Sequence, residues 1–212
     1  MSKKDIYLYW LNLAETYSLE KKKIKTCYDE IVDYYTKKSR KYHTLDHIEH
    51  LLNLTMAYGH RLEYVDIVRF SVFYHDIIYK ASRSDNEEKS AKLAMKRMAR
   101  LNVPDETAKL VEHFILCTKN HEPQPCVLQN DLHYFLDFDL SILGSRDPDV
   151  YHAYTRAIRR EYKMYPDFLY RQGRKKVIQH FLRKEKIFLT TDFQEAFEEP
   201  ARKNLKKELE TL

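Results

Sequence analysis

Glycine is scarce in this chain. Only three of the 212 residues are glycine, and Gly59, Gly144 and Gly173 are far apart. A phosphate-cradling P-loop and a dinucleotide-binding fingerprint each need clustered glycines, and a β-sandwich with many tight turns needs more of them. These classes are therefore excluded, and any phosphate chemistry must use side chains or a metal ion.

Cysteine, proline and long apolar runs are also few. Three cysteines without a CxxC pair argue against a disulfide framework or a zinc ribbon, and reduced thiols in the cytoplasm are the expectation. Six prolines leave room for long helices. Because no apolar run approaches about 18 residues and the N-terminal stretch is amphipathic, we expect neither a membrane span nor a signal peptide.

Positive charge is unevenly distributed. The formal net charge is +5, but residues 156–186 hold 11 Lys and Arg against 3 Asp and Glu, and residues 21–41 hold 8 against 3. Such stretches are most often solvated helix faces, although they can attract a phosphorylated ligand or a nucleic acid. No recognised nucleic-acid module accompanies them, so a nucleic-acid partner is not expected.

Apolar residues recur at three-and-four spacing through most of the chain, which predicts an all-α fold of nine or ten helices. We expect a single bundle-like domain over residues 1–212, with a core at about 40–145 and further helices over 147–212. Residues 64–79 are apolar on all sides, which is typical of a central buried helix.

Several helix boundaries also follow from the sequence. Asp147 followed by Pro148 predicts the start of a helix, and Thr191 with Gln194 predicts a capping box for the last helix. Gly144 is expected to end a helical turn with a positive φ.

Two ionisable residues, His75 and Asp76, fall inside the apolar segment. Burying a carboxylate costs several kcal/mol unless it is paired or bound to a metal. The pair therefore indicates either a metal site or a core histidine beside a carboxylate that bonds to a neighbouring helix.

Other candidate ligands lie on either side of this pair. His43 precedes a helix, and His47 and His50 continue one face of it, where imidazoles could bind a metal or be solvated. Near residue 138, two carboxylates alternate with apolar residues. The second of them, Asp139, is either a ligand or a cap of the following turn.

Together these features resemble the HD-domain superfamily, and in particular a branch described as predicted metal-dependent HD phosphohydrolases. His43, the His75–Asp76 pair and Asp139 have the order H…HD…D of that superfamily. The resemblance runs from about residue 5 to the C-terminus. Its stretches are YHTLDHI (42–48), HDIIY (75–79), DNEEKSA (85–91), DFDLSILG (137–144), AIRREY (157–162) and PARKNL (200–205).

The resemblance implies that His43, His75, Asp76 and Asp139 ligate one divalent ion. Two imidazoles and two carboxylates suit Mn²⁺, Fe²⁺, Co²⁺, Ni²⁺, Zn²⁺ or Mg²⁺. Such an ion lowers the pKa of a bound water and neutralises phosphoryl charge. The implied activity is hydrolysis of a phosphate ester or anhydride, with Asp76 in the catalytic centre.

Further residues are candidates for substrate contact or proton transfer. Arg40 and Lys119 could bind phosphate oxygens, and His121 is a candidate for substrate contact or for an extra ligand. Glu87 and Glu88 follow the His–Asp pair at a spacing that departs from the acid/base pair of alarmone-hydrolysing relatives. The alternative is that they are acids in the first turn of a helix, where they are favourable.

The sequence therefore predicts a cytoplasmic enzyme, a metal-dependent phosphohydrolase. Its expected partner is a small phosphorylated substrate such as a nucleotide, and no membrane partner is expected. A homo-oligomer is compatible with this interpretation. Two alternatives stay open: a non-catalytic module that senses a nucleotide or docks a partner, and a basic helical nucleic-acid binder.

Overall fold

The structure, a computed structural model, describes residues 3–212. Within that range the chain forms ten α-helices and no strand, so the predicted all-α class is confirmed. No helix in this range is both long and apolar enough to cross a lipid bilayer. The helices are α1 (Lys3–Glu15), α2 (Lys21–Tyr35), α3 (Leu45–Ala57), α4 (Val65–Tyr74), α5 (Asn86–Arg100), α6 (Asp105–Cys117), α7 (Gln129–Leu140), α8 (Pro148–Glu161), α9 (Asp167–Arg183) and α10 (Glu199–Thr211).

The chain divides into two compact units, the first ending at Phe135 and the second spanning Leu136–Leu212. In the first unit α4 is the central helix and packs against α3, α5 and α6. Its side chains from Phe70 to Tyr74 are all buried. Trp10 of α1 lies edge-on to Phe73, with the ring centroids 5.2 Å apart, and its indole donates to the carbonyl of Ile24. The predicted central buried helix is confirmed in this part of the segment.

Helix α4 ends earlier than the apolar pattern predicts. Its last residue is Tyr74, and the backbone from His75 onward forms turns and bends. The pattern could not reveal this end, because Ile77 continues the apolar run and is itself fully buried. The His–Asp pair therefore lies just beyond a helix and not within one.

In the second unit one predicted helix start is confirmed and the other is displaced. Asp147 caps α8 by accepting a hydrogen bond from the amide of Asp149, and Pro148 follows in the first turn. At the last helical run the cap is Thr190, one residue before the predicted one, and its hydroxyl accepts from the amide of Phe193. A π-helical turn, Gln194–Glu198, then leads into α10.

Gly144 has a different role from the one expected, since no glycine in the described range has a positive φ. A Cβ added at this position would lie 2.6 Å from the Cβ of Phe197 and 2.8 Å from its carbonyl oxygen. The amide of Asn204 donates to the carbonyls of Leu143 and Ser145 on either side, at 2.9 and 2.8 Å. Glycine is therefore required here by close packing.

We expect Gly144→Ala to lower the free energy of unfolding by about 1–3 kcal/mol, because the methyl group would overpack the contact with Phe197. Gly173 is a matched control, because it lies within α9 and a Cβ there would meet nothing within 4 Å. Gly173→Ala should instead raise stability by about 0.5–1 kcal/mol. Denaturant unfolding measures both changes, and equal effects at the two positions would refute this account of Gly144.

Candidate metal centre

The His–Asp pair beyond α4 faces His47 of α3. The Nε2 atoms of His47 and His75 are 3.2 Å apart, and Nε2 of His75 is also 3.2 Å from Oδ2 of Asp76. Both imidazoles are buried, whereas the Asp76 side chain keeps 14% of its surface exposed. Nε2 of His75 thus has a second imidazole nitrogen and a carboxylate oxygen close to it, and solvent reaches the carboxylate.

The orientation of His75 is set by its other ring nitrogen. Nδ1 lies 2.9 Å from the carbonyl oxygen of Val72. A carbonyl can only accept, so in the neutral ring Nδ1 carries the proton and Nε2 presents its lone pair towards His47 and Asp76. This is the tautomer in which a histidine ligates a metal, with its second nitrogen bonded to the backbone.

The spacing of the donor atoms suits a single ion. Two ligands that lie about 2.1 Å from one ion, at right angles, are about 3.0 Å apart. The observed separations of 3.2 Å are close to that value. The donor set is a mixture of imidazole nitrogen and carboxylate oxygen, which first-row divalent metals accept. His47 and His75 belong to a group of side chains that could hold a metal ion.

Arg40 holds the backbone of this centre together. The residue is buried, and one terminal nitrogen donates to the carbonyls of His43 and Asp76 at 3.1 and 2.8 Å. The other donates to the carbonyl of Ile77 at 2.7 Å. These bonds join the segment before α3 to the segment after α4. Arg40 therefore positions the backbone of this centre, and its predicted contact with phosphate stays a prediction.

Helix α5 supplies a second support. The side-chain amide of Asn86 bonds to both backbone groups of Lys80, at 3.1 Å each. One turn later the hydroxyl of Ser90 accepts from the amide of Ile78 at 3.0 Å and donates to its carbonyl at 3.2 Å. Buried irregular backbone needs such partners. The DNEEKSA stretch thus holds the segment after the His–Asp pair in place.

His43 lies beside Asp76 in this centre. Its Nε2 is 3.7 Å from Oδ2 of Asp76, and its ring packs on that of Tyr79 with centroids 4.1 Å apart. Its side chain is 16% exposed, against 1% for His75. The structure brings His43 to the edge of the centre and His47 to its interior.

The acids of α5 approach the same centre. Glu87 is half-buried; burial raises the pKa of its carboxyl, and the negative charge of Asp76 adds to the rise. Glu88 is exposed and forms an ion pair with Lys119. The hydrogen bond from Lys119 lowers the pKa of Glu88 and raises that of the lysine. The structure thus joins two predicted site residues, Glu88 and Lys119, and places Glu87 within the electrostatic reach of Asp76.

The structure also describes the other two predicted site residues, His121 and Asp139. His121 is in the loop after α6 and is half-buried, with φ 49° in the left-handed region. Asp139 is in the last turn of α7, within the second unit, and is half-buried. Its neighbour Asp137 is fully buried and accepts from the amides of Leu189 and Thr190, at 2.8 Å each. Asp137 therefore anchors the chain before α10.

His47 is the residue whose part in this centre the sequence left undecided. His43, just before α3, and His47, in its first turn, are four positions apart, which is a spacing that metal ligands can have. The same spacing also fits solvated histidines. The chain matches no family model, no curated protein and no solved structure. Functional interpretation of this centre therefore depends on its own geometry and on the motifs quoted above.

Proposed function

We propose that this protein is a metal-dependent phosphohydrolase of the HD type. The observation that supports the proposal is the approach of His47 and of Asp76 to Nε2 of His75, with the tautomer of His75 set for ligation. We assign these three residues as ligands of one divalent ion. Asp139 is proposed as a further ligand, as the sequence resemblance implies.

The bound ion would lower the pKa of a water molecule and neutralise charge on a phosphoryl group. Around it, Arg40, Asn86 and Ser90 hold the ligand-bearing backbone, so that the ligands need little reorganisation. Lys119, kept near the centre by Glu88, is the proposed contact for a phosphate oxygen. Its exposed ammonium can move to a substrate, because surface ion pairs are weak.

His43 is proposed as the proton donor to the leaving group. Its partial exposure places it where a substrate would arrive, and its packing on Tyr79 restricts its motion. An imidazole is the common choice for proton transfer near neutral pH. Glu87 keeps its predicted role in proton transfer, supported by its place near Asp76.

The proposed substrate is a small phosphorylated molecule, with a nucleotide as the first candidate. The proposed compartment is the cytoplasm, since the three cysteines in the described range are all free thiols. The donor set suits any of Mn²⁺, Fe²⁺, Co²⁺, Ni²⁺, Zn²⁺ and Mg²⁺.

The function is tested by measuring phosphate release from nucleotides, sugar phosphates and cyclic dinucleotides in the presence of Mn²⁺. We expect turnover of at least one class, and its loss in Asp76→Asn. Turnover that survives in Asp76→Asn would contradict the proposal. Tight nucleotide binding without turnover under any metal would instead support the non-catalytic module.

A separate prediction distinguishes the two roles considered for His43. In His43→Asn we expect the affinity for Mn²⁺ to change by less than about threefold, while kcat falls by about 10²–10⁴, the usual contribution of a general acid. Calorimetric titration with Mn²⁺ and steady-state kinetics give the two quantities. A loss of metal binding as severe as in His47→Ala would show that His43 is a ligand instead.

A further inference from the structure

Exposed apolar side chains cluster on the most basic segment of the second unit. Eleven large hydrophobic residues are exposed in the described range, and four of them lie within residues 164–177. Single exposed residues need no explanation, but a cluster of them indicates an interaction surface. Three of these four, Met164, Phe168 and Leu169, lie at the turn before α9 and in its first turn, at 53%, 62% and 44% exposure, and we call them the corner patch. Val177 lies nine residues after Phe168, on the opposite side of the helix, and does not belong to the patch.

The corner patch lies where the chain turns from α8 into α9, and Arg159 makes this turn rigid. Its guanidinium donates to the carbonyls of Tyr162 and Tyr165, at 3.0 and 3.2 Å, and to Asp167 at 3.0 Å from Nε. It also lies over the ring of Tyr170, 4.8 Å from the centroid. The apolar side chains therefore extend from a turn whose conformation is fixed by the contacts of Arg159.

Positive charge is dense in the same stretch of the chain. Two of the arginines in this segment are engaged inside the unit, Arg159 with Asp167 and Arg174 with Glu208. The other exposed cations face solvent around the corner and along α9. They are Arg156, Arg160, Lys163, Arg171, Lys176, Arg183 and Lys186.

The chemistry of the patch favours a lipid surface over other polyanions. Two of its three members, Met164 and Leu169, are aliphatic, and aliphatic groups gain free energy in the acyl boundary but do not stack on nucleic-acid bases. Half-buried tyrosines, Tyr162, Tyr165 and Tyr170, adjoin it, and tyrosine is typical of membrane–water interfaces. Lysine and arginine around such a patch are attracted to anionic headgroups.

We infer that the corner patch docks the second unit onto an anionic membrane surface, with Met164, Phe168 and Leu169 inserted between headgroups. The sequence led us to expect no membrane partner, but that expectation depended on the absence of a spanning segment. It did not concern a surface patch, which becomes visible only when the exposed faces of α8 and α9 are known.

The test is co-sedimentation of the full chain with vesicles of phosphatidylcholine, with and without phosphatidylserine, at low and raised salt. We expect binding about tenfold stronger with phosphatidylserine, and weaker at raised salt. Phe168→Ser combined with Leu169→Ser should lower it at least about fivefold. Leu19→Ser, at a residue 92% exposed in the first unit, is the matched control and should leave binding unchanged.

A second pair of variants tests the charge. Lys163→Glu with Lys176→Glu should abolish the preference for phosphatidylserine, whereas Lys21→Glu with Lys22→Glu, in the other basic stretch, should not. All substituted positions are exposed, and circular dichroism checks that each variant is folded. The inference is overturned if phosphatidylserine vesicles are not bound at low salt. It is also overturned if patch and control variants lose binding equally, or if only an RNA duplex or an acidic peptide depends on the patch.

Discussion

On the proposed function, His47→Ala is expected to lose both the binding of a divalent metal and phosphatase activity. In the proposed site the side chain supplies one of the metal ligands, and its Nε2 lies 3.2 Å from that of His75. Removing it leaves an incomplete donor set in a buried place. We expect the dissociation constant for Mn²⁺ to rise by at least about 100-fold and kcat to fall by about 10³ or more, since outer partners of ligands alone cost 10–100-fold.

His50→Ala is the matched control for that change. His50 lies on the same helix, one turn further on, and is exposed. Its loss should alter the affinity for Mn²⁺ and kcat by less than about twofold, as is usual for surface positions. Calorimetric titration and phosphate-release kinetics measure both variants. Full metal binding in His47→Ala would remove this residue from the ligand set.

Asp137→Asn is expected to destabilise the protein by about 2–4 kcal/mol, because it leaves buried donors without a proper acceptor. The carboxylate accepts from two backbone amides and from the hydroxyl of Thr190, which is 2.6 Å away. Burial raises the pKa of Asp137 to about 6, so above pH 7 the wild-type group is ionised and acts only as an acceptor. The amide of asparagine would direct its own hydrogens at those donors.

Urea unfolding above pH 7 measures this effect, with Asp149→Asn as the control. Asp149 is an exposed acid in the first turn of α8, and its neutralisation should cost no more than about 0.5 kcal/mol. If both variants unfold at the same urea concentration as the wild type, the anchoring role of Asp137 is refuted.

Helix class and much of the helix layout could be predicted from the sequence, because apolar periodicity is a local signal. The burial of residues 70–74 follows from it directly, and the start of α8 follows from the Asp147–Pro148 pair. The end of α4 at Tyr74 does not, since Ile77 is buried by tertiary contacts and extends the same pattern. Apolar periodicity indicates which residues are buried. It does not indicate where the backbone leaves the helix.

The residue types of the candidate site could be predicted from the sequence. Which residue occupies which position in the site could not. The motifs pointed to histidines and carboxylates around the His75–Asp76 pair. Which histidine lies against that pair depends on how α3 packs on α4, and the structure places His47 there, closer than His43. Arg40 was interpreted as a phosphate contact because arginine commonly serves that purpose. Its three backbone carbonyl partners are distant in sequence and become visible only in the folded chain.

Gly144 illustrates the same limit at a single residue. A glycine after a helical turn commonly marks a positive φ, and that local rule predicted its role. The actual requirement is a close approach of Phe197, more than fifty residues later in the chain. The local rule considers only the backbone conformation of the glycine. At Gly144 the requirement comes from the lack of space for a Cβ next to Phe197.

The central claim is that His47, His75 and Asp76 hold one divalent ion. Anomalous diffraction from crystals of the protein soaked in Mn²⁺ tests it most directly. The account predicts one anomalous peak about 2.0–2.3 Å from Nε2 of His47, from Nε2 of His75 and from a carboxylate oxygen of Asp76. A fully soaked crystal with no peak among these three side chains, or with Mn²⁺ bound only elsewhere, would contradict it.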